Sequence, residues 1–443
     1  MRTGSKSGET EVEQMSNKNS DSKQIAKQML EFIHKSPTCF HVIGNLKEKL
    51  LAEGFKELKE SDEWKLKAGK FFVIRNDSSI ISFKIPGKNF KGFYMIASHS
   101  DSPSFKIKEN PEMESVGAYI KLNTEKYGGM LMAPWFDRPL SVAGRLIVKG
   151  KKKDIKTKLV NVDRDLLMIP SLAIHMNRDV NSGYKYNPQV DTIPLYGDMD
   201  SKDTFMDVVA KSAGVKKEDI LSHDLFLYNR VKPTLWGANE EFIGSSRIDD
   251  QECVYTTFEG FIQAKESDHV AVHCVFDNEE VGSGTKQAAD SSFLKDTLVR
   301  INEGLGRSNQ QYYTAIADSF MISADNAHGV HPNYADKADP VNIPVMNKGI
   351  VIKYNANQKY TTDAVSAAFF KLVCQEAGVP YQAYTNRSDV AGGATLGNLA
   401  TVQVSARAVD IGLAQLAMHS PYETAGSLDP EYLIKASKVF YEK

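Results

Sequence analysis

Cysteine is scarce. Cys39, Cys253, Cys274 and Cys374 are spread over 443 residues, none in a Cys-x-x-Cys pair and none at zinc-finger spacing. That argues against a disulfide framework or a thiolate metal site, and the four are expected to be reduced, packed residues of a cytoplasmic protein. Apolar runs long enough to span a membrane, about 20 residues, are missing. So is the basic, then apolar, then cleavable order of a secretory leader. Lys and Arg total 54 against 56 Asp and Glu, a formal net charge of -2. With no excess of positive charge there is no electrostatic footprint for nucleic acid. Neither nucleic acid nor a membrane is therefore an expected partner.

What is present suits a globular chain with a large core and about two domains. The first 22 residues are rich in Ser, Lys, Glu and Asn and read as a flexible tail, with Met15 as a possible internal start. Residues 23–54 read as helix, because Val42, Leu46 and Leu50 recur every four residues and Gly54 is a plausible stop. Strand-like pieces follow at Phe71–Ile74, Ile80–Phe83 and Gly92–Ser98. From 104 to 243 the texture changes to short β-like segments such as Ala118–Ile120 and Leu146–Val148. A solvated basic turn, Gly150–Asp154, and a polar exposed loop, Asn177–Gln189, interrupt them.

Beyond 244 strands alternate with helices. Strands are predicted at Val270–Phe276, Ser319–Ser323, Ile350–Lys353, Tyr381–Tyr384 and Thr401–Ser405, and helices at 284–304, 363–377 and 428–441. This is the pattern of an α/β fold, an α/β/α sandwich on a mostly parallel sheet, with ligands at the C-terminal edge of the strands. The expected organisation is a catalytic domain in two parts, 23–103 and 244–443, carrying an inserted β-rich domain, 104–243.

Asp277-Asn278-Glu279-Glu280-Val281-Gly282 directly follows the apolar run Val270–Phe276. Tandem glutamates at the end of a buried strand repel each other and resist burial unless a cation lies beside them. They are either a solvated acidic turn or half of a metal site, in which one carboxylate binds the ion and the other handles a proton. Four further polar clusters follow apolar or β-like runs: His99-Ser100-Asp101, Arg247-Ile248-Asp249-Asp250, Asp325-Asn326-Ala327-His328 and Met418-His419-Ser420. Together they offer a nitrogen and oxygen set that suits zinc, with manganese or cobalt as alternatives. In His-x-Asp, the Asp can accept from the second ring nitrogen and fix the tautomer of a ligating His.

These motifs resemble the aspartyl aminopeptidase and vacuolar aminopeptidase I family of dinuclear zinc exopeptidases. So do Tyr127-Gly128-Gly129, Trp135-Phe136-Asp137-Arg138-Pro139-Leu140 and His331-Pro332-Asn333, and the likeness spans about 99–423. The resemblance implies a zinc-exopeptidase-like fold and two zinc ions per subunit. His99 and Asp325 would hold one ion, Glu280 and His419 the other, and Asp249 would bridge them. Asp101 would orient His99 and Glu279 would be the general base. Where the family pattern commonly reads Arg-Leu-Asp-Asn, this chain has Arg247-Ile248-Asp249-Asp250. Lys353, Tyr360 and His328 match residues that line the substrate pocket, implying preference for an N-terminal Asp or Glu of peptide substrates. Read alone, Lys353 is equally a surface lysine at a strand end. His175 matches a histidine that reaches a neighbouring subunit's site, and the implied assembly is a homo-oligomer, a tetrahedral dodecamer. Alternative readings are a neutral or leucine-preferring aminopeptidase, a carboxypeptidase or deacylase with two zinc ions, and a noncatalytic assembly protein on the same fold. The last would be expected to have lost a ligand or the base, and neither is missing.

Overall fold

The computed structural model describes residues 6–151 and 154–443, with side chains from Asp21 onward. Three sheets carry the fold. The largest has nine strands, in spatial order Lys56–Leu58, Gly69–Arg75, Ser79–Ile85, Val270–Phe276, Phe93–His99, Phe320–Ala324, Arg407–Gly412, Ile350–Tyr354 and Tyr381–Thr385. Five of its eight pairings are parallel and three antiparallel. It is thus a mixed sheet whose central strands are parallel.

Alternate residues of the central strands enter two separate cores, as the two-residue period of a strand requires. Ile80, Ile96 and Ile322 pack with Val254, Phe258, Phe370 and Phe440, which lie on the helices Ile248–Gln263, Ala364–Ala377 and Asp429–Tyr441. Ile81, Met95 and Met321 face the other way, against Phe293, Leu298 and Ala400 of the helices Phe293–Gly304 and Leu396–Gln403. Near-continuous hydrophobic strands such as Val-Ala-Val-His-Cys-Val-Phe follow from this burial on both faces.

A second sheet of six strands is antiparallel throughout and drawn entirely from residues 104–229. The helix Phe205–Ala213 packs on it through Phe205 and Val209. A third sheet joins Thr234–Trp236, Phe242–Ser245, Glu423–Gly426, Ala414–Leu416 and Ala327–His328. Among the described residues no helix is long and apolar enough to cross a membrane.

Several expectations need correction. Residues 6–22 of the segment read as a flexible tail are helical, within Lys6–Lys35. There Ser22 is buried and donates a hydrogen bond to Glu431. Residues 1–5 lie outside the described residues, as do Lys152 and Lys153 of the basic turn. The single helix expected over 23–54 is two, Lys6–Lys35 and Cys39–Ala52. Pro37, between them, lacks a backbone donor and disfavours helix in the residue before it. The helix expected over 284–304 begins only at Phe293, after the turn-forming run Asp290-Ser291-Ser292. Thr401–Ser405 is not a strand: Leu396–Gln403 is helical and the strand starts at Arg407. The β-branched Thr401, Val402 and Val404 suggested extended structure, yet Leu396, Ala400 and Val404 fall at four-residue spacing and are buried together, while Val402 is exposed.

Candidate metal centre

Strand register brings the polar clusters level. Phe276 pairs with His99, and Ser323 with Ala97, in adjacent parallel strands. The chain therefore leaves three neighbouring strands at one edge with His99, the Asp277–Glu280 turn and Asp325 side by side. Asp249 arrives from the first turn of Ile248–Gln263, where Asp249 and Asp250 have non-helical backbone angles. His419 arrives from the turn between Ala414–Leu416 and Glu423–Gly426, with φ of 66°.

Asp249 lies at the middle. One carboxylate oxygen is 3.4 Å from His99 Nε2 and the other 3.4 Å from His419 Nε2. His419 Nε2 is also 3.3 Å from a Glu280 oxygen. Ligand-type atoms of His99, Asp249, Asp250 and Asp325 lie within 4.8 Å of one another; so do those of Asp249, Glu280 and His419, and those of His99, Glu279 and Glu280. Asp249 Oδ1, Asp250 Oδ1 and Glu280 Oε1 are sealed from solvent without a hydrogen-bond donor. Buried carboxylate oxygens left without donors are costly. A divalent cation satisfies them, and a His-plus-carboxylate set suits zinc. The residues present fit the metal.

Electrostatics say the same. Burial pushes the Glu279 carboxyl up to about 8, with Asp325, Asp101 and Asp249 adding to it against the opposing effect of His99. Burial, then Asp249, lifts Glu280 well above the usual range. Burial likewise raises Asp250 and Asp325, the latter partly offset by Lys353. Asp249 is the exception: burial opposes its charge, but His419 and His99 beside it hold it below the ordinary carboxylate range. Without a cation, the cluster cannot be fully ionised at neutral pH.

Asp101 holds this arrangement through backbone as well as side chain. His99 Nδ1 is 3.0 Å from the Asp101 carbonyl oxygen and 3.4 Å from its carboxylate. The Asp101 carboxylate accepts the backbone N–H groups of Glu279 at 3.1 Å and Glu280 at 3.2 Å, and the Tyr127 hydroxyl at 2.6 Å. It thus sets the glutamate turn as well as the imidazole.

Beside the cluster, Lys353 is 3% exposed. Its ammonium is 3.7 Å from Asp325 and 5.6 Å from the centre of the Tyr360 ring. Burial opposes that charge, but Asp325 and Tyr360 raise its pKa above the ordinary lysine value. Lys353 is therefore not a surface lysine. Tyr384 lies 6.3 Å, ring to ring, from both His328 and Tyr360. Desolvation among its neighbours, then Lys353, lowers the pKa of His328, although part of the residue remains exposed at the surface. His175 is exposed in the short turn Ile174–Met176, and none of the described contacts joins it to this group.

Sequence reasoning missed Glu423 and Tyr384, as well as the tie between Tyr127 and Asp101. Glu423 Oε2 accepts the N–H of Asp249 at 3.1 Å and Oε1 that of His419 at 2.8 Å. Its one signal in sequence is a glutamate four residues after His419.

Comparisons with known proteins agree with this chemistry. The model of the family described as aminopeptidase I zinc metalloprotease, M18, matches residues 32–441. A protein of Clostridium acetobutylicum named probable M18 family aminopeptidase 2 is 49% identical over 427 residues, covering 94% of this chain and 98% of the relative. Among solved structures, that of an Ape4 and Nbr1 complex superposes with a TM-score of 0.92 at 35% identity, covering 96% of this chain and 86% of that one. The S. cerevesiae mApe1 dodecamer gives 0.84 at 29% identity, covering 95% and 97%. A zinc-type ligand set at one sheet edge, within a match that spans nearly the whole chain, has one reading: the chain belongs to the M18 family of aminopeptidase I zinc metalloproteases and is a zinc-dependent aminopeptidase.

Proposed function

We propose that the chain removes the N-terminal residue of peptides with two zinc ions per subunit, and that it prefers N-terminal Asp or Glu. Asp249 carries the two-ion reading: its two oxygens face His99 and His419 separately. His99 and Asp325 would hold one ion, Glu280 and His419 the other, with Asp249 between. Manganese or cobalt could take the same sites. Zinc bound there supplies Lewis acidity towards water and the scissile carbonyl. Glu279 takes a proton from the attacking water on its carboxylate and returns it to the leaving amine. Asp101 keeps the His99 ring and the Glu279–Glu280 backbone in place.

Lys353 supports the acidic preference, since a buried ammonium is a strong partner for a substrate carboxylate. His328 and Tyr360 would complete the pocket. One observation favours a second reading, preference for neutral residues such as leucine: the Lys353 charge already faces Asp325. A panel of aminoacyl chromogenic substrates decides, run on apo-protein resupplied with zinc, manganese or cobalt. A clear preference for Leu over Asp and Glu would refute the acidic assignment.

The proposal extends to organisation: a catalytic α/β/α sandwich built from 23–103 and 244–443, an inserted β-rich domain at 104–243, and a tetrahedral dodecamer of cytoplasmic subunits. A dodecameric structural neighbour supports the assembly. So does His175, whose turn exposes Leu172, Ile174 and Met176, apolar surface that a neighbouring subunit would cover. His175 would then reach that neighbour's site. Sedimentation as a 49.2 kDa monomer would overturn both the assembly and the role of His175. Four buried, unpaired cysteines fit a reducing compartment.

A further inference from the structure

We infer that Glu423 is the positioning residue for one of the two metal sites: its single carboxylate fixes the backbone at both Asp249 and His419, and so sets the affinity for the ion that these two share with Glu280. The inference rests on the two-ion reading above and adds a residue that touches neither substrate nor the ligand atoms.

Asp249 and His419 are far apart in sequence, and both lie where regular structure ends. The residue two before Asp249, Arg247, has φ of 58°, and His419 has φ of 66°. That conformation is uncommon for residues other than glycine. No strand ladder pairs the N–H of either ligand residue, and a buried N–H needs an acceptor. Glu423 supplies one oxygen to each, at 3.1 Å and 2.8 Å.

The strand Glu423–Gly426 explains how one residue reaches both. On one side Glu423 pairs with Ser245, the end of the strand that leads into Asp249. On the other side Thr424 pairs with Leu416, the end of the strand that leads into His419. Glu423 itself is 2% exposed. Gln415 Nε2 donates to it at 3.3 Å, and Gln415 Oε1 accepts from Asn326, the residue after Asp325, at 2.8 Å. The clamp is thus braced against the strand end that carries Asp325.

A carboxylate is the group this geometry demands, because two N–H donors converge on its two oxygens. Glu423→Gln turns one oxygen into a donor that faces a donor, so one of the two backbone positions is released. Outer-shell partners of metal ligands are typically worth about 10–100-fold in metal affinity. The test is a titration of the full-length apo-protein with Co²⁺, followed by its visible absorption bands and by elemental analysis. Wild type is expected to take two equivalents. Glu423→Gln should weaken the site that Asp249 and His419 share with Glu280 about 10–100-fold, and the second site less, because Asp249 faces both. Glu423→Asp, one methylene shorter and able to reach only one N–H, should weaken metal binding to a similar degree and serves if the glutamine variant does not fold. Thermal melts of the apo-proteins separate a role in folding alone. A lowered melting temperature with both Co²⁺ affinities unchanged overturns the inference, as do unchanged affinities at an unchanged melting temperature. A wild type that takes a single equivalent overturns the two-ion reading, and the inference with it.

Discussion

Replacing Glu279 by glutamine separates proton transfer from metal binding. The amide keeps the shape of the side chain but has no basic oxygen to take a proton. The turn itself should not move, because it is fixed through backbone: Asp101 accepts the N–H groups of Glu279 and Glu280 at 3.1 and 3.2 Å, and Tyr127 braces Asp101 at 2.6 Å. None of those bonds uses the Glu279 side chain. Glu280 should therefore stay beside His419 and zinc content should hold. A positioned general base is worth about 10²–10⁴-fold, which is a loss of about 2.7–5.4 kcal/mol at 1.36 kcal/mol per decade. The fall should appear in kcat, with little change in KM. Steady-state kinetics on an aminoacyl chromogenic substrate, paired with elemental analysis, reads both quantities. The structure also contains the rival outcome: Glu279 places an oxygen within 4.8 Å of ligand atoms of His99 and Glu280. If zinc leaves together with activity, Glu279 is a ligand. If the zinc-replete variant is fully active, it is not the base.

Zinc uptake by the apo-protein should release protons at pH 7. Burial holds Glu279 near 8 and lifts Glu280 well above the usual carboxylate range, and a bound cation favours their ionised forms. Calorimetry in buffers of different ionisation enthalpy measures the release, and a value of zero would contradict the buried acid cluster. Lys353→Met should lower kcat/KM for N-terminal Asp or Glu by about 10–150-fold, the worth of a charge-assisted hydrogen bond of about 1.5–3 kcal/mol, and leave leucine substrates nearly untouched. Equal losses on all substrates would make Lys353 a partner of Asp325 alone. His273 is fully buried, bonded to Thr257 at 3.0 Å, and burial lowers its pKa to about 3. Below the unfolded value of about 6.5 the unfolded chain binds the extra proton. This contribution to stability is therefore complete above about pH 6.5 and falls by about 1.4 kcal/mol per unit as pH drops towards 3. Denaturant titrations of wild type and His273→Phe between pH 4 and 6 should differ by that slope, and parallel curves would refute it.

The clustering of acidic and imidazole side chains at the candidate metal centre was legible in part because the residues sit in short motifs where apolar runs end. A polar residue just past a buried strand has few places to go except the sheet edge, so the clusters around His99, Glu279–Glu280 and Asp325 could be set there from hydrophobic pattern, while the division of roles among them came from the family resemblance. The elements misread were those in which tertiary burial overrode local composition. Thr401–Ser405 carries β-branched residues, yet the four-residue spacing of Leu396, Ala400 and Val404 prevails because that face meets the core. The stretch 6–22 has almost nothing apolar to signal a helix, and Ser22, near the middle of Lys6–Lys35, finds Glu431, a partner that no local window contains.

Glu423 shows a different limit. Apart from its place four residues after His419, nothing in the run Tyr422-Glu423-Thr424-Ala425 marks it as more than a strand residue. Its role comes from pairing on both edges of one short strand, to Ser245 through Glu423 and to Leu416 through Thr424. Those pairings bring the chain before Asp249 and the chain before His419 onto either side of a single carboxylate. Ligand residues announce themselves because their side chains must be of a few chemical types. A residue that holds ligands through backbone N–H groups needs only an acceptor in the right place, and placement is a property of the sheet. The expected 10–100-fold effect on metal affinity therefore sits at a position that motif reading passes over.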